Sequence, residues 1–177
     1  MKRIFLLRHA KSSWDDTGLE DFQRPLNARG RKAARRMGRY LHDQAIRPGM
    51  VLCSAAQRTR STYELLEPHL EGVPVSFEDG LYEATRGELL HRLQRLDGHL
   101  SSVMIIAHNP GLEKLAMALC AGHGHAQAVE LLDQKYPTGA LAVLETLVPH
   151  WPELDAGCCT LSAFVRPKDL DPEHDDD

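Results

Sequence analysis

No stretch of this 177-residue chain is apolar for long enough to span a bilayer, which takes about 20 residues as a helix. No membrane partner is expected. Cysteine is sparse: Cys53, Cys120, Cys158 and Cys159 are the four present. None has C-x-x-C spacing, and the vicinal Cys158-Cys159 pair is a poor structural disulfide candidate. Reduced thiols in a cytoplasmic protein are expected. No secretory leader is expected either, since the apolar run after Met1 is short and closed by charge. Aromatic residues are 6% of the chain and do not interleave with the basic ones, which argues against a nucleic-acid partner. His123 and His125 have no further ligands at metal-binding spacing, so no metal is expected. Internal repeats are absent.

What is present is an ordinary globular composition, 42% hydrophobic and 26% charged. The length suits one domain with a substantial core. The formal charge of −4 hides an asymmetry. Residues 169–177 hold six acids; without them 21 Lys and Arg face 19 acids, a net of +2. Residues 1–40 hold eleven Lys or Arg against four acids, which suits an anionic ligand. The folded domain is expected over residues 1–166, with an acidic, disordered tail over 167–177.

The N-terminal run Lys2-Arg3-Ile4-Phe5-Leu6-Leu7 reads as a buried strand that stops at Arg8-His9-Ala10-Lys11-Ser12-Ser13. Residues 11–26 show no period. Asn27 is a candidate N-cap for a helix reaching about Gln44, with Ala33, Ala34, Met37, Tyr40 and Leu41 as its apolar positions. Further strands are predicted at Met50–Cys53, Val73–Phe77, Val103–Ala107, Ala140–Leu144 and Cys159–Val165. Pro74 places the third at a sheet edge. Helices are predicted up to about Leu70, over Arg86–Leu96 and over Leu112–Cys120. Free N–H groups at the start of the last are candidates for anion binding. This order predicts an α/β fold: a three-layer α/β/α arrangement with a mostly parallel central sheet and helices on both faces.

Arg8, His9, Arg58 and His108 each fall at the C-terminal end of a predicted strand. In a parallel sheet those ends share one edge, where ligands bind. Two Arg and two His in one crevice repel each other unless an anion is present. A phosphoryl dianion meets that need, because guanidinium groups bind its oxygens by paired N–H···O bonds and stay charged.

These residues carry a resemblance over roughly residues 2–165. The chain resembles the histidine phosphatase superfamily, which is phosphoglycerate mutase-like in fold, and within it the small SixA-type phosphohistidine phosphatases. Arg8-His9-Ala10 stands where the family has Arg-His-Gly. Ser54, Arg58 and Thr62 match its Ser-x-x-x-Arg-x-x-x-Thr pattern, and Ala107-His108-Asn109-Pro110 matches its second histidine. Arg24-Pro25-Leu26-Asn27 and Tyr136-Pro137-Thr138-Gly139 also look like this subgroup. The resemblance implies a metal-independent phosphatase without cofactor. His9 would be the nucleophile and would carry a covalent phosphohistidine, with Arg8, Arg58 and His108 binding the phosphoryl oxygens. Glu83, in Leu81-Tyr82-Glu83, aligns with the acid of larger relatives, although SixA-type proteins often lack one. Arg24, Ser12 and Asn109 are further candidates for lining the phosphate site. The expected partner is a protein bearing phosphohistidine or a small phosphorylated substrate. Alternatives are a non-catalytic phospholigand-binding module and a small-molecule phosphomonoesterase or phosphomutase. Oligomeric state is left open.

Overall fold

The structure, a computed structural model, describes residues 1–170. β1 (Lys2–Arg8), β2 (Val51–Ser54), β3 (Val75–Glu78), β4 (Ser102–Ala107), β5 (Leu141–Thr146) and β6 (Cys159–Val165) form one sheet in the order β3-β2-β4-β1-β5-β6. β1 to β4 run parallel to one another. β5 runs antiparallel to both β1 and β6. The sheet is thus mixed, with its parallel part on the side that carries the site.

Among the described residues six α-helical segments cover it: α1 (Ala28–Asp43), α2 (Gln57–Leu66), α3 (Arg86–Gln94), α4 (Gly111–Cys120), α5 (Ala126–Gln134) and the single turn α6 (Pro167–Leu170). Alternate residues of each strand point to opposite faces. Ile4, Leu6, Val103 and Ile105 pack with Leu89 and Leu93 of α3, Leu112 and Leu115 of α4, and Leu132 of α5. Phe5, Leu7, Met104 and Ile106 pack with Met37 and Leu41 of α1 and Tyr63 and Leu66 of α2. Two buried faces explain why β1 and β4 are continuous apolar runs instead of alternating ones. The three-layer α/β/α expectation holds, and β3 is an edge strand as Pro74 implied.

Local signals set the helix starts. The Asn27 side chain accepts from the Gly30 N–H at 2.8 Å. Such a cap contributes about 1 kcal/mol. Thr85 and Glu88 form a reciprocal capping box at the start of α3. α5 was not anticipated: His125 offers no side-chain cap, and only Ala128 and Leu132 of its residues are buried. The domain boundary expected at 166 is followed by α6, which packs on α1. The rest of the acidic tail expectation, from Asp171 onward, lies outside the described residues. Among the described residues no helix is long and apolar enough to cross a membrane. All four cysteines are unpaired.

Candidate active site

The C-terminal ends of β1, β2 and β4 meet at one edge of the sheet. Arg8 is the last residue of β1, paired in register with Ala107, the last of β4. His9 and His108 follow directly. Ser54 ends β2, and Arg58 sits in the first turn of α2. The expected four-residue cluster forms: the His9 and His108 rings lie 5.2 Å apart between centroids, tilted by 50°. All three of His9, Arg58 and His108 are buried.

Backbone atoms fix the His9 ring. Its Nδ1 lies 2.8 Å from the Ala10 carbonyl oxygen. A carbonyl only accepts, so Nδ1 carries the proton and the Nε2 lone pair is left free. The Ala10 N–H donates to Thr62 Oγ1 at 3.0 Å, and Thr62 Oγ1 donates to the Arg58 carbonyl at 2.7 Å. The motif threonine therefore joins the His9 loop to the helix that carries Arg58. On the other side, the Gly139 N–H donates to the carbonyls of Arg8 and His9 at 3.1 and 2.9 Å. Gly139 has φ +76°, a backbone angle that favours glycine.

The cations are anchored by carbonyls and one carboxylate. Arg8 Nη1 donates to the Tyr136 carbonyl at 2.9 Å. Arg58 donates to the Asp21 carbonyl at 2.7 Å and to Asp21 Oδ2 at 3.1 Å. Arg24 donates to Asp21 Oδ1 at 3.0 Å and to Ser12 Oγ at 2.7 Å, and stacks over Trp14 at 3.4 Å from the ring centre. Tyr82 O–H donates to Asp21 Oδ2. That bond, with those from Arg24 and Arg58, holds the Asp21 carboxyl down at about 2. Burial and the same bond push the Tyr82 hydroxyl up to about 12. Asp21, Tyr82 and Ser54 were not anticipated as site residues. Asp21 had one sequence signal, its i,i+3 spacing to Arg24.

Burial, followed by Arg58, Arg8 and Arg24, lowers His9 to about 4, against the opposing pull of its Ala10 bond. Burial, then His9 and Arg58, lowers His108 to about 3. Both rings are neutral at pH 7 in the free protein. Ser54 Oγ lies 2.7 Å from His108 Nε2. Buried side-chain nitrogens without a protein partner include Arg8 Nε, Arg58 Nε and His108 Nδ1. Unmet capacity of this kind is rare in folded proteins, and three of the four such atoms among the described residues are in this crevice, the other being Arg3 Nε near the start of β1.

Other expected residues are placed less directly. Both ends of the Asn109 amide are engaged: Nδ2 donates to the Tyr136 carbonyl at 3.1 Å, and Oδ1 accepts from Glu113 N–H at 3.2 Å. Asn109 thereby takes up one early amide of α4, and the His108 carbonyl takes the Leu112 amide. Those two amides are not available to an anion. Ser12 faces Arg24. Glu83 is exposed, has φ +56°, and borders a groove with Asn109 and Lys114. His123 and His125 are exposed, and no group of three or more His, Cys, Asp or Glu among the described residues could hold a metal ion.

Comparison with known proteins agrees with this geometry. The model of the histidine phosphatase superfamily (branch 1) matches residues 4–108, a span that contains Arg8, His9, Arg58 and His108. The chain belongs to that superfamily. A structure from Agrobacterium tumefaciens, provisionally assigned as the phosphohistidine phosphatase SixA, superposes with a TM-score of 0.80 at 29% identity, over 94% of this chain and 98% of that one. One from Nakamurella, with the same provisional assignment, gives 0.80 at 25% identity over 94% and 96%. An uncharacterised protein of Mycobacterium tuberculosis is 32% identical over 163 residues, 92% of this chain and all of that one. Membership supports phosphatase activity, and the SixA-like neighbours suggest phosphorylated substrates.

Proposed function

We propose that the protein removes a phosphoryl group from phosphohistidine in a partner protein, through a covalent intermediate on His9. One observation carries this reading. The Ala10 carbonyl holds the Nδ1 proton of a neutral His9, so Nε2 presents its lone pair inside a ring of fixed cations. Pure binding of an anion would favour a protonated imidazole there. A depressed, tautomer-locked ring suits a nucleophile.

In the first step His9 Nε2 bonds to phosphorus while the bond from phosphorus to the substrate nitrogen breaks. The other ring nitrogen of the substrate imidazole carries a proton, so the nitrogen released from phosphorus keeps the electron pair and the ring departs neutral. Water then attacks phosphorus, the bond to His9 breaks, and phosphate leaves. Arg8 and Arg58 hold the equatorial oxygens, where charge builds in both steps. The bound dianion raises the His108 pKa, so His108 becomes a further donor. Arg24 and Ser12 extend the oxygen-binding wall, and Asn109 steadies the loop of His108. A nitrogen leaving group needs little acid assistance, so Glu83 acts on the attacking water or on oxygen leaving groups. No metal is called on.

Hydrolysis of p-nitrophenyl phosphate in EDTA and trapping of an acid-labile, base-stable phosphoenzyme are the expected results. His9→Ala abolishes both. A retained rate in that variant removes His9 from the nucleophile role; saturable phosphate binding without a phosphoenzyme makes the protein a binding module. Activity on phosphohistidine peptides that is no higher than on phosphomonoesters assigns the site to small molecules.

A further inference from the structure

Beside the site runs a groove whose charged lining residues are all cations, one of which, Arg166, is paired with Asp169 at 2.6 Å. Lys11, Arg29, Arg36, Lys135, Arg166 and Lys168 line it, and no Asp or Glu does. Lys11, Arg29, Lys135 and Lys168 are exposed, and the ion pairs among the described residues do not involve them. These four cations come from three separate parts of the chain: the loop after β1 with the start of α1, the loop between α5 and β5, and α6. Like charges gathered from distant segments raise the energy of the free protein, and an anion spread along the groove offsets that cost.

The groove adjoins the candidate active site through the backbone. Lys11 follows His9 by two residues, which puts their Cα atoms at most about 7 Å apart. Thr138 also lines the groove. Its neighbour Gly139 bonds to the carbonyls of Arg8 and His9. A chain whose phosphorylated side chain reaches His9 advances about 3.3 Å per residue when extended, so a few flanking residues bring it over the groove. A small phosphate ester does not extend that far.

We infer that the groove docks an acidic segment flanking the phosphorylated histidine of the partner protein; the inference rests on the phosphatase reading above. Charge complementarity selects the partner. None of the lining residues is aromatic, so the groove lacks the stacking surface with which proteins hold single-stranded nucleic acid. Exposed charges of this kind act mainly on encounter, and salt weakens them.

Two synthetic phosphohistidine peptides test this, one flanked by four Glu and one by four Gln. The expected kcat/KM of the full chain at low salt is about tenfold higher on the acidic peptide. The preference is lost at high salt, and in Lys135→Glu/Lys168→Glu and Lys135→Ala/Lys168→Ala, while turnover of p-nitrophenyl phosphate is unchanged in both variants. Equal kcat/KM on the two peptides, or a preference that survives in the variants, overturns the inference. So does a preference seen only after residues 171–177 are removed, which gives the groove to the chain's own acids. Inhibition by oligouridylate but not by polyglutamate gives it to nucleic acid. Hydrolysis of neither peptide defeats the phosphohistidine reading and the docking together; equal hydrolysis of both defeats the docking alone.

Discussion

Thr62→Val tests whether the motif threonine acts as the tie between the His9 loop and α2. Valine keeps the shape but removes the oxygen that accepts from the Ala10 N–H at 3.0 Å. Ala10 is fully buried, so no solvent replaces that acceptor. A buried amide left unpaired costs about 1–3 kcal/mol. The Arg58 carbonyl also loses a donor, but it lies within the helical ladder of α2, so this second loss is small. For a chain of this length each kcal/mol moves Tm by about 2–4 °C, which gives a fall of roughly 2–12 °C. Ala10 also supplies, from its next peptide group, the carbonyl that holds the His9 proton. Loosening it by the worth of one neutral hydrogen bond, about 1 kcal/mol, lowers kcat on p-nitrophenyl phosphate by roughly fivefold. Thermal denaturation and steady-state kinetics read the two effects. Thr62→Ser keeps the oxygen and is expected to recover most of both. If Thr62→Val melts with the wild type and turns over at its rate, the tie has no energetic weight and the reasoning is wrong.

Stability should depend on acid through His9. Its pKa is about 4 in the folded protein against an ordinary 6.5, so the unfolded chain takes the proton first. The His9 share is complete above pH 6.5 and falls as pH drops toward 4, by about 3 kcal/mol; urea midpoints against pH show it, and His9→Gln removes this share while the acid loss owed to His108, lowered to about 3, remains. Arg8→Lys replaces a fork held by the Tyr136 carbonyl with a point charge. It should lower kcat/KM on p-nitrophenyl phosphate by roughly 10²-fold or more. Gly30→Ala would put a Cβ 2.1 Å from the Lys11 carbonyl oxygen, so α1 must shift away from the His9 loop. A loss of about 1–3 kcal/mol is expected from chemical denaturation, and a neutral result would show that the helix moves at no cost.

The strands were legible because both faces of the sheet are buried. Ile4 to Leu7 and Val103 to Ala107 have no polar alternation to confuse with a surface strand. Arg8, His9, Arg58 and His108 were legible for a related reason: each follows such a run, and parallel strand ends share an edge. Asp21 and Tyr82 were not. Asp21 lies in the aperiodic stretch 11–26, and only tertiary folding brings it to Arg58, 37 residues away. Tyr82 reaches the same carboxylate across 61 residues, a separation that no local pattern encodes. α5 escaped because nothing at its start caps it and its buried stripe is two residues wide. Asn109 reaches the Tyr136 carbonyl 27 residues away, a contact that its sequence neighbours do not encode.

Tyr136 stands 28 residues beyond the stretch that the superfamily model matches. Its ring is wedged edge-on against Phe164 from β6, and its hydroxyl donates to the carbonyl of Leu6 in β1. Its own carbonyl steadies Arg8 and Asn109. A polypeptide cut after residue 108 would keep every cation of the crevice but lose the post to which one arginine is tethered. Damage to the far end of the sheet, at Phe164 for instance, should therefore reach catalysis through a single phenol.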